Sequence, residues 1–166
     1  MKINKLQKGY SILELVIYIA LFSIIVVVII NSLLTITKTY STAQGYRRLQ
    51  SNGDLIMDRI AREIRSSNTI VSATYNTNPG SISLSGVDSI GGTKSSSFSI
   101  TNGVLQINDN GNIGDLSTSE VVVTSLIFRN ITTANSLGIK VEMTLTTANG
   151  YIVSAPFYST ILLRNK

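Results

Sequence analysis

Glu14 is the residue whose type and setting most constrain chemistry, because it is a carboxylate directly followed by an uncharged run from Leu15 to Thr37. A carboxylate inside a membrane-spanning helix costs about 2.5–3.5 kcal/mol at mid-bilayer and less near an interface, so it normally has a partner or a function. The chemistry open to it is ion pairing rather than turnover. The chain has no histidine and no cysteine, which removes the usual general base, the commonest transition-metal ligand, a thiolate nucleophile and any disulfide. The plainer reading of Glu14 is a carboxylate that snorkels from near one end of the helix to the interface.

Other groupings carry weaker chemistry. Asp54 and Asp58 could be paired carboxylates, but with no base and no supporting motif they read as solvated helix surface. Asn108-Asp109-Asn110-Gly111-Asn112 has a calcium-loop composition without EF-hand spacing or its terminal glutamate, and Asn-Gly is a turn signal by itself. Gly86 to Gly92 is no phosphate loop, since Lys94 does not follow a glycine as that loop requires. Arg47, Arg48, Arg59, Arg62 and Arg65, with Tyr40 and Tyr46 upstream, could grip nucleic acid. Interleaved Asp54, Asp58 and Glu63 dilute that field and favour a solvated face or a subunit contact. No enzyme, no metal site and no cofactor are expected.

The elements that must position Glu14 follow from length and patterning. At 166 residues the chain has room for one helical anchor and one small domain. Leu15 to Leu34 includes seven consecutive β-branched residues from Ile24 to Ile30, and about 20 apolar residues suffice to cross roughly 30 Å of hydrocarbon. Lys2, Lys5 and Lys8 precede the run, so of the net charge of +5 only +2 belongs to the remainder. The positive-inside rule then puts the N-terminus in the cytoplasm and the rest outside. A cleaved secretory signal is the competing reading. The run exceeds a typical h-region, however, and the small-x-small candidate Ser41 to Ala43 lies well beyond it.

From Lys38 to Arg65 the helical spacing continues, with Leu49, Gly53, Ile56, Ile60 and Ile64 in one stripe. Gly45 and Gly53 each cost about 1 kcal/mol of helix propensity relative to alanine, so packing must support them or the helix breaks there. After Ser66 the composition turns to Ser, Thr, Asn and Gly with short β-branched runs. Ile139 to Thr147 alternates apolar and polar residues. Asn149-Gly150 predicts a hairpin to a partner resuming at Tyr151, Val153, Ala155 and Phe157. Phe98 to Thr101, Asn102-Gly103 and Val104 to Ile107 predict a second hairpin. Val121 to Phe128 is a further strand, and Ile82 with Leu84 marks a weaker edge. The expected class is α+β: a long N-terminal helix packed against a C-terminal antiparallel sheet through the Leu49 to Ile64 stripe.

Lys8-Gly9-Tyr10-Ser11-Ile12-Leu13-Glu14-Leu15 resembles the cleavage and methylation motif of type IV prepilins and type II secretion pseudopilins. The match comprises a short basic leader, a glycine, an aromatic residue, and a glutamate four residues later that opens a long apolar helix. The resemblance implies a pilin-like fold, cleavage between Gly9 and Tyr10 by a prepilin peptidase, and N-methylation of Tyr10. It implies that Glu14 pairs with the N-terminal amine of a neighbouring subunit during assembly. Expected segments are a leader (1–9), a transmembrane and assembly helix (10–37), its amphipathic continuation (38–66) and an exported β-rich domain (67–166). Met57 to Arg65, Val123 to Asn130 and Ser159 to Asn165 resemble the J-type minor pseudopilin and related minor pilins. One departure is that Asn31 stands near the position where many pilins carry a helix-kinking proline, and no proline precedes Pro79.

The implied partners are other subunits of a pilus or pseudopilus, the peptidase, inner-membrane assembly machinery, and lipid before assembly. The implied location is the inner membrane and then the filament. The rival expectation is a tethered β-domain that binds a surface or polymer and does not polymerise.

Overall fold

The computed structural model describes residues 11–87, 90–131 and 137–163. One helix, α1 (Ile12–Ser66), precedes eight strands: β1 (Ser67–Ala73), β2 (Ile82–Val87), β3 (Thr93–Thr101), β4 (Val104–Asp109), β5 (Asn112–Asp115), β6 (Val121–Asn130), β7 (Gly138–Thr147) and β8 (Ser154–Leu162). The fold is α+β. The chain divides into two compact units between Tyr40 and Ser41.

In the first unit α1 is apolar all round, and its large side chains from Ile12 to Ile36 are largely exposed. A helix of that kind must find its burial in lipid or against other helices. The uncharged run Leu15 to Thr37 rises about 34 Å at 1.5 Å per residue, more than a hydrocarbon core of roughly 30 Å. It is long and apolar enough to cross a membrane. The helix is unbroken at Asn31, whose carbonyl accepts a 2.9 Å hydrogen bond from Thr35 Oγ1.

In the second unit α1 becomes amphipathic and supplies the centre of the core. Leu49, Ile56, Ile60 and Ile64 are at most 1% exposed, and each fully buried aliphatic side chain stabilises by about 1.5–3 kcal/mol. Both glycines of this stretch are buried. A Cβ at Gly53 would lie 2.2 Å from Cε1 and Cζ of Phe157, and one at Gly45 would lie 2.8 Å from Val153 Cγ2. The propensity cost of glycine is therefore offset by close approach of the β7–β8 hairpin. Arg65 in the last turn suits the negative end of the helix dipole. The Ser66 and Ser67 hydroxyls donate to the Glu63 carbonyl at 3.0 and 2.6 Å, and the β-branched run of β1 begins at once.

All strand pairs are antiparallel, but they form two sheets, β1-β2-β3-β4-β5 and β6-β7-β8, rather than the single sheet expected. The break falls after β5. Leu116 N donates to Leu105 O at 2.8 Å and Leu105 N donates to Ser117 Oγ at 3.0 Å, which turns the chain back across β4. The outer edge of β6 is then closed by non-strand groups: Val123 N to Gly103 O, Gly80 N to Leu126 O and Asn76 N to Phe128 O. Ile82, Leu84, Phe98 and Leu105 from the larger sheet share one core with Leu126, Phe128, Val141, Met143 and Phe157 from the smaller.

The Asn102-Gly103 hairpin is present, with φ of 53° and 78°, the paired positive values of a type I′ turn. Two expectations need correction. The Ile82–Leu84 segment is no weak edge: β2 lies between β1 and β3, and both residues are buried. The turn at Asn149-Gly150 is wider than a two-residue hairpin, because β8 starts at Ser154. Thr147 N donates to Val153 O at 3.1 Å, which closes the loop 148–152 beneath that bond. The alternation of Ile139, Val141, Met143 and Leu145 inward against half-buried Lys140, Glu142, Thr144 and Thr146 is as expected.

Candidate functional site

Glu14 lies in the first turn of α1, where the positive end of the helix dipole favours a carboxylate. Tyr18, one turn on, donates its hydroxyl to Glu14 Oε1 at 2.9 Å. One hydroxyl donor occupies a fraction of the roughly four lone-pair positions of an ionised carboxylate, so most of the acceptor capacity is left for a cation. The helix treats its other polar groups differently. Ser23, Ser32, Thr35 and Thr37 each turn a hydroxyl onto the carbonyl four residues earlier, at 2.8–2.9 Å. Hydroxyls bonded within the helix can enter hydrocarbon at little cost. The i,i+4 spacing of Tyr18 from Glu14 is the sequence signal for this contact. Gly9 and Tyr10, the expected processing residues, lie outside the described residues.

The second concentration of charge centres on Glu63. Its spacing among Asp54, Asp58 and the arginines predicts a solvated helix face, yet it is 4% exposed. Lys94 Nζ on β3 reaches Glu63 Oε2 at 2.8 Å and Arg59 Nη2 reaches Oε1 at 3.0 Å. Asp109 Oδ2, at the end of β4, faces the same two cations at 3.7 and 3.6 Å. Each carboxylate is matched by two cations, so the cluster fastens α1 to the β3–β4 hairpin. It leaves no unpaired base or acid for chemistry. Burial of a charge is tolerable only with such pairing.

The remaining groupings are brought together weakly. Asp54 accepts from Gln50 and Asp58 pairs with Arg62 at 3.1 Å; both aspartates are exposed. In the Asn108 to Asn112 stretch, Asn110 and Gly111 have φ of 51° and 91° and form the β4–β5 turn. Asn108 Oδ1 accepts from Gly111 N and Asn110 Oδ1 from Ser95 N, both at 2.8 Å. These amide side chains serve the turn. Among the described residues no three carboxylates or imidazoles gather as a metal site would need. Arg48 pairs with Glu120 at 3.5 Å, and Arg59 and Arg62 are paired as above, so three of the five arginines in the series meet acidic neighbours. On the smaller sheet, Arg129 Nε and Lys140 Nζ meet Glu142 Oε1 at 2.9 and 2.8 Å. The hydrogen bond from Arg129, then that from Lys140, pulls the Glu142 carboxyl down to about 2.

Compared with known protein families, characterised proteins and solved structures, the chain matches none.

Proposed function

We propose that the chain is a structural subunit, a minor pilin or pseudopilin, of a type IV pilus or type II secretion pseudopilus. It is held in the membrane by α1 until it assembles. The observation that carries this reading is Glu14: a carboxylate with one hydroxyl partner, in the first turn of an exposed apolar helix, four residues after Tyr10. Cleavage after Gly9 by a prepilin peptidase creates a new amine at Tyr10. In the helical bundle of a filament, that amine on one subunit meets Glu14 of the next. An unpaired charge in so dry a setting is expensive, so the pair sets the axial register between subunits. Three lysines ahead of the run support an N-terminus on the cytoplasmic side and a globular unit outside. The function is assembly, with other subunits, the inner-membrane machinery and lipid as partners. No catalytic role is assigned, and nucleic-acid binding is not part of the reading.

Two measurements test it. Mass spectrometry of the mature protein should find a methylated Tyr10 as first residue, whereas an intact Met1 would favour a tethered binding module. Glu14→Ala should leave membrane insertion and processing intact and reduce incorporation into filaments at least tenfold, which corresponds to about 1.4 kcal/mol. Normal incorporation would sink the pairing mechanism.

A further inference from the structure

Ser23, Ser32, Thr35 and Thr37 satisfy their hydroxyls within α1, but one polar side chain of the uncharged run does not. The main-chain carbonyl of Asn31 accepts from Thr35, whereas its exposed side-chain amide meets no partner among the described residues. An amide brings two N–H donors and an acceptor oxygen, and left unbonded it is costly in hydrocarbon, where no water can serve it. The depth of Asn31 follows from the run that holds it. Leu15 to Thr37 is centred on Val26, so Asn31 lies five residues, about 7.5 Å, from the middle of a core that extends about 15 Å to either side. Asparagine is too short to lift its polar group over the remaining distance of about 7.5 Å, as lysine and arginine do near helix ends. Its amide must therefore be met inside the hydrocarbon.

The surroundings of Asn31 are those of a helix-pairing seam. Leu21, Ile24, Val28, Asn31 and Thr35 recur at alternating intervals of three and four residues, the spacing that keeps one stripe facing a parallel partner helix. Val28, Asn31, Ser32 and Thr35 line a shallow groove on the helix surface, and four residues at such spacing make the hole that receives a partner's side chain. Ser32 is small and its hydroxyl is already spent on Val28 O, so it lets a second backbone come close. The chemistry of the amide selects the partner. Donor and acceptor on one group make it complementary to itself, and two copies inserted with the same polarity carry Asn31 at the same depth. Any other partner would have to bring a polar side chain to that level; a second copy does so by construction.

We propose that two copies of this chain pair side by side in the membrane, Asn31 against Asn31, each amide donating an N–H to the other's side-chain oxygen. This rests on the anchoring part of the proposed function and not on filament formation. The chain has no cysteine, so a single introduced one reports on the pairing without background. The full-length protein would be reconstituted in phosphatidylethanolamine–phosphatidylglycerol vesicles and oxidised at several lipid dilutions. Val28→Cys, on the seam, should give at least fivefold more disulfide-linked dimer than Val26→Cys, which at about 100° per residue lies on the opposite side of the helix. Adding Asn31→Val to Val28→Cys should weaken dimerisation at least fivefold, or about 1 kcal/mol, whereas Asn31→Gln, which keeps the amide, should retain most of it. Equal cross-linking at both cysteine positions, or a yield indifferent to Asn31→Val, would overturn the pairing and leave the anchor intact. So would a Val28→Cys protein that links to a different polypeptide in native membranes but not to itself in vesicles, since another subunit would then serve the amide. A chain that does not float with the vesicles would overturn anchor and pairing together.

Discussion

Replacing Gly53 with alanine sets two effects of opposite sign against each other at one atom. On an exposed helix the change stabilises by about 1 kcal/mol, because glycine is the poorer helix former. Here the new Cβ would lie 2.2 Å from two ring carbons of Phe157, against an optimal carbon–carbon separation of about 3.5–4.0 Å. Either the ring leaves its rotamer or β8 shifts by more than 1 Å, and both disturb a core that includes Ile56, Ile60 and Met143. Overpacking costs about 1–3 kcal/mol, occasionally more, and so severe an overlap belongs at the top of that range. The net expectation is a loss of about 2 kcal/mol. Urea unfolding of the globular unit, followed by pulse proteolysis of the full-length protein in mild detergent, reads this as a lower midpoint. Close approach of the ring also implies a reversal of sign. In a Phe157→Ala background the ring is gone, and Gly53→Ala should become stabilising by up to about 1 kcal/mol. If Gly53→Ala raised stability in the wild-type background, or if its effect were the same with and without the ring, the reasoning from close approach would be refuted.

Two further outcomes follow from the charged clusters. Lys94→Met leaves the buried Glu63 carboxylate with Arg59 as its remaining close cation. This should lower stability by about 1–3 kcal/mol, less than for a fully buried pair because Lys94 is partly exposed; the urea midpoint of the variant checks it. Glu142 has a folded pKa near 2, below its ordinary 4.5, so its stabilising contribution is complete above pH 4.5 and disappears as the pH falls toward 2. Glu142→Gln should therefore flatten the fall of the unfolding midpoint across that window and leave the slope above pH 5 unchanged.

Much of the architecture is legible in the residues because hydrophobic patterning decides it. The membrane-length run, the Leu49 to Ile64 stripe and the alternation of β7 all depend on which face meets apolar surroundings, and period alone conveys that. Strands β1 and β5 were not legible. Both are edge strands with few buried side chains, β5 only four residues long, and they are held by a neighbour's backbone more than by a buried face. The division into two sheets also escaped, since it rests on Ser117 and on backbone groups around residues 76, 80 and 103, none of which has a patterned side chain. Glu63 shows the limit for charged sites. Its i,i+4 spacing to Arg59 looks like any surface helix pair, and what distinguishes it is Lys94, on a strand well separated in sequence. At Glu14 the reverse holds: an isolated carboxylate beside an apolar run stands out by composition, and the Tyr18 contact lies one helical turn away in the sequence.

The two meanders bear on how the domain comes into being. Every ladder joins strands that are neighbours in the chain, and each strand added extends a surface already formed by earlier residues. A chain that emerges N-terminus first can therefore fold progressively. The core face of α1 comes out before any strand, the first sheet grows on it hairpin by hairpin, and β6 finds its outer edge closed by residues 76–80 and 103 that preceded it. Among the described residues no ladder joins strands distant in the chain. Local connectivity of this kind shortens the search for the native state and limits the time that unpaired edges are open to aggregation.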